Sequence, residues 1–180
     1  MQMTNQTNEQ GRRLLRVFVI VPLFFIILFI ASTFIHELGH AITAIVLGIP
    51  ITELTFGWYG LGPGVALPEY FPVEYLPYFR YAGGTMAGVG FMFTYIFWLI
   101  RQRCSVTDQY AKAKWWIQGF VLFWGIFGFY QGYIEGAYFE RYIKGEVSWT
   151  VPFLAIMLAS FAVHLGVTHR FARQRKLKEK

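Results

Sequence analysis

Long blocks of apolar residues, separated by short polar stretches, organise this chain of 180 residues. The four blocks cover residues 17–35, 81–100, 115–138 and 149–167, so each holds 19 to 24 residues. An α-helix rises about 1.5 Å per residue, and about 20 apolar residues therefore cross a hydrocarbon core of about 30 Å. The pattern predicts an all-α fold, a polytopic membrane bundle of about four transmembrane helices.

Residues 48–80, which follow the first block, differ from it in composition. Prolines recur too often for a long helix, at Pro50, Pro63, Pro68, Pro72 and Pro77. Residues 51–56 are weakly strand-like, and the aromatic side chains of the segment suit a membrane–water boundary. We therefore expect a short irregular or β-like loop after the first helix.

The composition is typical of a membrane protein. Hydrophobic residues make up 56% of the chain and charged residues 14%, against about 45–50% and about 25% in soluble domains. This excess excludes a disordered chain, and too few charges remain to cover the surface of a soluble globule. Cys104 is the single cysteine, which excludes a disulfide framework and a cysteine-based zinc site.

The positions of the basic residues explain the net charge of +6. Of the 16 Lys and Arg residues, 13 lie before residue 17, within residues 101–114 or after residue 168. Basic residues concentrate in cytoplasmic loops. We therefore expect a multi-pass integral protein of the cell membrane with both termini in the cytoplasm, and no nucleic-acid partner.

The apolar blocks and the positions of the basic residues divide the chain into three parts. Residues 1–13 are predicted to form a flexible N-terminal tail, residues 14–169 a membrane-embedded domain and residues 170–180 a basic cytoplasmic tail. The last part carries 6 Lys and Arg residues, and we expect it to contact anionic lipid headgroups of the bilayer.

The candidate chemistry lies at the end of the first block, in the H-E-x-x-H motif His36-Glu37-Leu38-Gly39-His40. Residues four apart share one face of a helix, so His36 and His40 can bind one Zn²⁺ ion. Glu37 is then placed as the catalytic base for the bound water, whose pKa zinc lowers to about 7. The alternative is a pair of hydrogen-bonded interfacial histidines that bind no metal.

Depth in the membrane suggests the third ligand that a catalytic zinc site needs. His36 lies 20 residues beyond Arg16, and Glu135 lies 20 residues beyond Trp115, in a block that runs in the same direction. The two side chains should reach the same height, which predicts Glu135 as a metal ligand. Glu140 on the same segment is the alternative ligand, and Glu135 could also be a helix-end carboxylate that binds no metal.

Three other polar residues do not fit that height. Asp108 belongs to the opposite side of the membrane. His164 lies too deep in the fourth block, where we expect a packed or hydrogen-bonded core histidine. His169 lies at the cytoplasmic boundary.

The motif at residues 36–40 and the small-residue segment Ala82-Gly83-Gly84-Thr85-Met86-Ala87-Gly88 resemble the site-2-protease-like membrane zinc metalloproteases. The resemblance covers roughly residues 26–139. It implies a core of three spans, of which the third brings an acidic ligand, commonly Asp followed by Gly, where this chain has Glu135-Gly136. It also implies that residues 51–58 form a strand that holds an unwound substrate by backbone pairing; the alternative is an aromatic interface loop.

Together these features predict a zinc-dependent membrane metallopeptidase, a hydrolase that cuts a membrane protein or membrane-bound peptide in or near a transmembrane segment. Two alternatives stay open. One is a non-proteolytic membrane protein that uses the same metal-binding frame for metal handling, assembly or transport. The other is a structural membrane protein in which the histidines have no metal role.

Overall fold

The computed structural model describes residues 16–59, 62–104 and 115–178. The chain packs as two units, Met1–Ala31 and Ser32–Lys180. In the first unit, the described residues form a π-helical turn, Arg16–Ile20, and the beginning of helix α1 (Val21–Val46). The predicted N-terminal tail, residues 1–13, and Asp108 lie outside the described residues.

Helix α1 ends in a glycine cap, which turns the chain into the loop. Gly48 has φ +95°, a left-handed conformation that glycine adopts without steric cost. Its N–H donates to the carbonyl of Ile45, and the N–H of Ile49 donates to that of Ala44, both at 3.0 Å. This Schellman arrangement satisfies terminal carbonyls of the helix and brings Ile49 into an apolar cluster with Ala44.

A small antiparallel hairpin follows. Strand β1 (Thr55–Tyr59) pairs with strand β2 (Gly62–Ala66), with Phe56 opposite Val65. The predicted β-like loop is thus confirmed, although its first residues, Ile51–Glu53, form a 3-10 turn after Pro50. The loop packs on the end of α1 through a buried cluster of Ala41, Ala44, Ile49, Leu54, Phe71 and Phe79.

Most of the described residues after the hairpin are helical, which confirms the mainly helical prediction. They form α2 (Leu76–Cys104), α3 (Trp115–Ala137), the short α4 (Phe139–Ile143) and α5 (Thr150–Lys178). Residues 170–178, predicted as a separate tail, continue α5 without a break.

Glycines bring α2 and α3 into backbone contact. A Cβ atom added to Gly128 would lie 2.6 Å from the backbone nitrogen of Gly88, and one added to Gly84 would overlap the backbone of Gly132. Close approach of this kind favours helix association where lipid supplies no hydrophobic driving force. On its other side, α3 contacts α5 through aromatic rings such as Phe123 and Phe153, whose centroids are 4.9 Å apart.

Three helical segments of the described residues are long and apolar enough to cross a membrane: Phe18–Val46, Val73–Arg101 and Thr150–Arg170. Helix α3, the predicted third span, is not one of them. It is the most enclosed helix, with the consecutive residues 121–125 all buried. Because neighbouring helices cover α3, it can carry polar side chains that a lipid-facing helix would exclude.

Candidate metal centre

The two histidines of the motif lie one turn apart on α1 and point to the same place. His36 and His40 are 4% and 8% exposed, and their Nε2 atoms are 3.0 Å apart. The helical repeat explains this arrangement, because residues four apart stand above one another on one face.

Glu135, near the end of α3, completes the group. Its side chain is buried, and its Oε2 atom lies 3.0 Å from His36 Nε2 and 3.6 Å from His40 Nε2. Ligand atoms of the three residues all lie within 4.8 Å of one another. The structure therefore brings together the three residues that the sequence proposed as metal ligands.

The donor geometry fits a metal ion. Ligand atoms about 2.1 Å from a tetrahedral zinc ion are about 3.4 Å apart, close to the separations of 3.0, 3.0 and 3.6 Å in this group. Two imidazoles and one glutamate also form a donor set that known zinc hydrolases use. The group could therefore hold a metal ion.

A hydrogen bond outside the group sets the tautomer of His40. His40 Nδ1–H donates to the backbone carbonyl of Phe79, at 2.7 Å. The proton on Nδ1 leaves Nε2 of His40 as a lone-pair donor that faces His36 and Glu135. Histidines that bind metals are held in this way, by a hydrogen bond from the other ring nitrogen.

Gly83 on α2 provides the space around the imidazoles. A Cβ atom at this position would lie 2.7 Å from Nε2 of His36 and closer still to Nε2 of His40. On the same helix pair, Gly39 allows α1 to approach α2, because an added Cβ would lie 2.8 Å from the carbonyl oxygen of Ala82. The small residues of the second block thus have a direct role at the site.

Glu37 lies beside this group without joining it. Its half-buried carboxylate lies near Val65 on β2, and it is close enough to His36, His40 and Glu135 to interact with their charges. The hairpin therefore holds the predicted catalytic base against the predicted ligands. A carboxylate in this position can take a proton from a water at the group.

Tyr142 on α4 is a residue of the site that the sequence did not indicate. Burial, together with the negative charges of Glu135 and Glu37, raises the pKa of Tyr142 to about 12. The hydroxyl is therefore a neutral donor at physiological pH. The only sequence signal that distinguishes Tyr142 from the other tyrosines of the chain is its position seven residues after Glu135.

The remaining candidates lie elsewhere. Glu140 is exposed on α4 and does not belong to the group. His164 is fully buried and its Nδ1 is 3.0 Å from the hydroxyl of Tyr95, so the prediction of a hydrogen-bonded core histidine is confirmed. His169 is exposed near the end of α5.

Comparison of the chain with protein-family models, with curated proteins and with solved structures gives no match. The chemistry of the site, and the resemblance of its motifs to site-2-protease-like metalloproteases, therefore carry the information about function.

Proposed function

We propose that the protein is a zinc-dependent intramembrane endopeptidase that hydrolyses peptide bonds in or near transmembrane segments. The observation that carries the proposal is the convergence of His36, His40 and Glu135 in one buried group, with Glu37 beside it. Ionisable residues in apolar helices are costly unless they bind a metal or each other, and they commonly mark function. The resemblance to site-2-protease-like enzymes favours a peptide substrate.

Zinc is the metal we propose for the group, with His36, His40 and Glu135 as its ligands. When bound, zinc lowers the pKa of a water molecule to about 7 and polarises a carbonyl group. The chain itself supplies the proton transfers. Glu37 accepts a proton from the attacking water and returns it to the departing amine. Val65 of the hairpin lies beside this carboxylate.

The hairpin offers a way to hold the substrate. Peptide bonds in a regular helix are already hydrogen-bonded, so a transmembrane substrate must unwind before it is cut. An extended segment could pair with an edge of the two-stranded sheet. The position of Val65 favours the β2 edge, because this residue lies near Glu37. The resemblance instead implies residues 51–58, which include most of β1.

We further propose that α1, α2, α3 and α5 all cross the membrane, with both termini in the cytoplasm. Three of these helices satisfy the length and composition of a span. Counting α3 as the fourth is supported by its burial against α2 and α5, since an enclosed span need not be strongly apolar. Four spans also agree with the distribution of Lys and Arg along the sequence.

The first test is the substitution Glu37→Gln, which removes the base and keeps the size of the side chain. Wild type and variant are reconstituted in liposomes with a set of fluorogenic single-span peptides, and zinc content and cleavage are measured. We expect E37Q to retain zinc and to cleave at least about 100-fold more slowly, because a positioned general base contributes about that factor or more.

Glu140→Gln is the matched control, because Glu140 is an exposed carboxylate only five residues from Glu135. It should cleave like wild type. Equal cleavage by E37Q and wild type would contradict the proposed mechanism. Zinc binding without cleavage of any peptide by wild type would favour the non-proteolytic alternative of metal handling, assembly or transport.

A further inference from the structure

Phe79, in the first turn of α2, contacts the imidazole of His40 in two ways. Its carbonyl oxygen accepts a hydrogen bond from Nδ1–H of His40 at 2.7 Å. Its ring lies against the imidazole, with the centroids 4.6 Å apart and the planes inclined by 31°. The hydrogen bond sets the direction in which Nδ1 points, and the phenyl ring limits the tilt of the imidazole.

This restraint matters because helical spacing alone does not aim a histidine. The last torsion of an imidazole side chain has broad, roughly two-fold preferences, so the helix fixes the position of the ring and leaves its rotation free. His36 provides the contrast: among the described residues, its buried Nδ1 has no hydrogen-bond partner. Of the two motif histidines, His40 is therefore the one that is oriented by a residue outside the ligand group.

Phe79 is itself held in place by the apolar cluster at the end of α1. Its side chain is buried, and the centroid of its ring is 6.1 Å from that of Phe71, which belongs to the loop. Ile49 and Leu54, also from the loop, are members of the same cluster. Because protein interiors are close-packed, these side chains leave the phenyl ring little room to move away from the imidazole.

We infer that Phe79 is a positioning residue of the metal centre, whose ring, packed between His40 and Phe71, keeps Nε2 of His40 aimed at the other two ligand side chains. The inference rests on the proposed zinc site and adds a residue that the H-E-x-x-H motif does not contain. It also gives the apolar cluster of the loop a role in metal binding. The ligand concerned is a divalent cation.

Phe79→Leu tests the inference, because it removes the flat ring while the backbone carbonyl and an apolar side chain remain. Zn²⁺ affinity of the purified full chain in detergent is measured by competition with a chelator. Loss of an outer partner of a metal ligand typically weakens metal binding about 10- to 100-fold. We expect F79L to bind Zn²⁺ about tenfold more weakly than wild type, at the lower end of that range, because the carbonyl still accepts from His40.

Phe71→Leu is the matched control. It removes a buried ring from the same cluster, but that ring packs on Phe79, which stays against the imidazole. F71L should therefore be destabilised about as much as F79L and still bind Zn²⁺ like wild type.

A second measurement is the visible absorption spectrum of the Co²⁺-loaded proteins, taken on the folded fraction after size exclusion. The spectrum should change in F79L and stay unchanged in F71L, because it reports the ligand field rather than stability. Phe79→Met replaces F79L if that variant does not fold, since a flexible methionine fills irregular gaps in a core. It also lacks the flat ring and should weaken Zn²⁺ binding in the same way.

Equal Zn²⁺ affinity and equal Co²⁺ spectra in the Phe79 variant and wild type would overturn the role of Phe79 and leave the zinc site standing. Equal losses of affinity in F79L and F71L would also overturn it, since they would show only the effect of a less well packed core. Wild type that binds neither Zn²⁺ nor Co²⁺ would overturn the zinc site itself, and the inference with it. Neither measurement needs a substrate, so a protein that binds Zn²⁺ and cleaves no peptide would still decide the role of Phe79.

Discussion

Single residues around the group of His36, His40 and Glu135 constrain its geometry as strictly as these three side chains do. Gly83 has no side chain at the point where α2 passes the imidazoles of His36 and His40. Even a methyl group there would occupy the space in which the Nε2 atoms converge, and the neighbouring atoms belong to the ligands. The requirement for glycine at this position therefore follows from the site itself.

Gly83→Ala should weaken Zn²⁺ binding at least about tenfold, because direct obstruction of the ligands should cost more than the loss of an outer partner. The measurement is Zn²⁺ affinity by chelator competition. Gly90→Ala on the same helix is the control, since its added Cβ would meet only Ile35 at an ordinary 3.8 Å. Unchanged affinity in G83A would show that the metal does not bind between these imidazoles.

At the residue scale, the sequence predicted well which three side chains come together, His36, His40 and Glu135, and predicted the residues around them poorly. The H-E-x-x-H spacing fixes two side chains on one face of a helix, and counting from the membrane boundary placed Glu135 at the height of His36. Tyr142, on which the charges of Glu135 and Glu37 act, was missed because it follows the break in the helix at Tyr138, and such a break leaves no pattern in an aromatic-rich segment.

Among the secondary-structure elements, the pair α2 and α3 determines whether Glu135 reaches the histidines. Gly132 lies one turn before Glu135 and faces the backbone of α2: an added Cβ would lie 2.8 Å from the nitrogen of Thr85 and 3.0 Å from the carbonyl oxygen of Tyr81. Backbone atoms cannot move aside as a side chain can, so any side chain here must push the two helices apart.

Gly132→Ala should therefore displace Glu135 and weaken Zn²⁺ binding about tenfold, and overpacking should destabilise the protein by about 1–3 kcal/mol. Zn²⁺ affinity and thermal unfolding in detergent are the measurements. Gly166→Ala on α5, where an added Cβ meets nothing within 4 Å, should change neither. If G132A also behaves like wild type, the glycine contact does not set the position of Glu135.

The elements themselves were largely predictable because apolar blocks of membrane length have few alternative structures. All four blocks are helical. The helices of the first, second and fourth blocks continue past the predicted ends, whereas α3 ends at Ala137, one residue before the predicted end. The loop was harder to predict. Its prolines excluded a long helix, but the exact strand pairing, Thr55–Tyr59 with Gly62–Ala66, depends on contacts with the end of α1 that local sequence does not encode.

Over the whole molecule, the acidic side chains divide between the exposed surface and the buried site. The chain has only 10 acidic residues, and among the described ones Glu135 alone is buried. Its two histidine partners come from a helix about 100 residues earlier in the sequence. A buried cluster assembled from such distant segments persists only if its members satisfy one another, and a shared metal ion does so most completely.

The most direct test of the proposed metal centre is the zinc content per chain, measured by mass spectrometry after purification without chelators and reconstitution with Zn²⁺. Wild type and Glu140→Ala should each hold about one tightly bound zinc ion per chain, as a single three-ligand site requires. Glu135→Ala and His36→Ala should lose most of it. No zinc in wild type, or unchanged zinc in E135A, would contradict a metal centre formed by His36, His40 and Glu135.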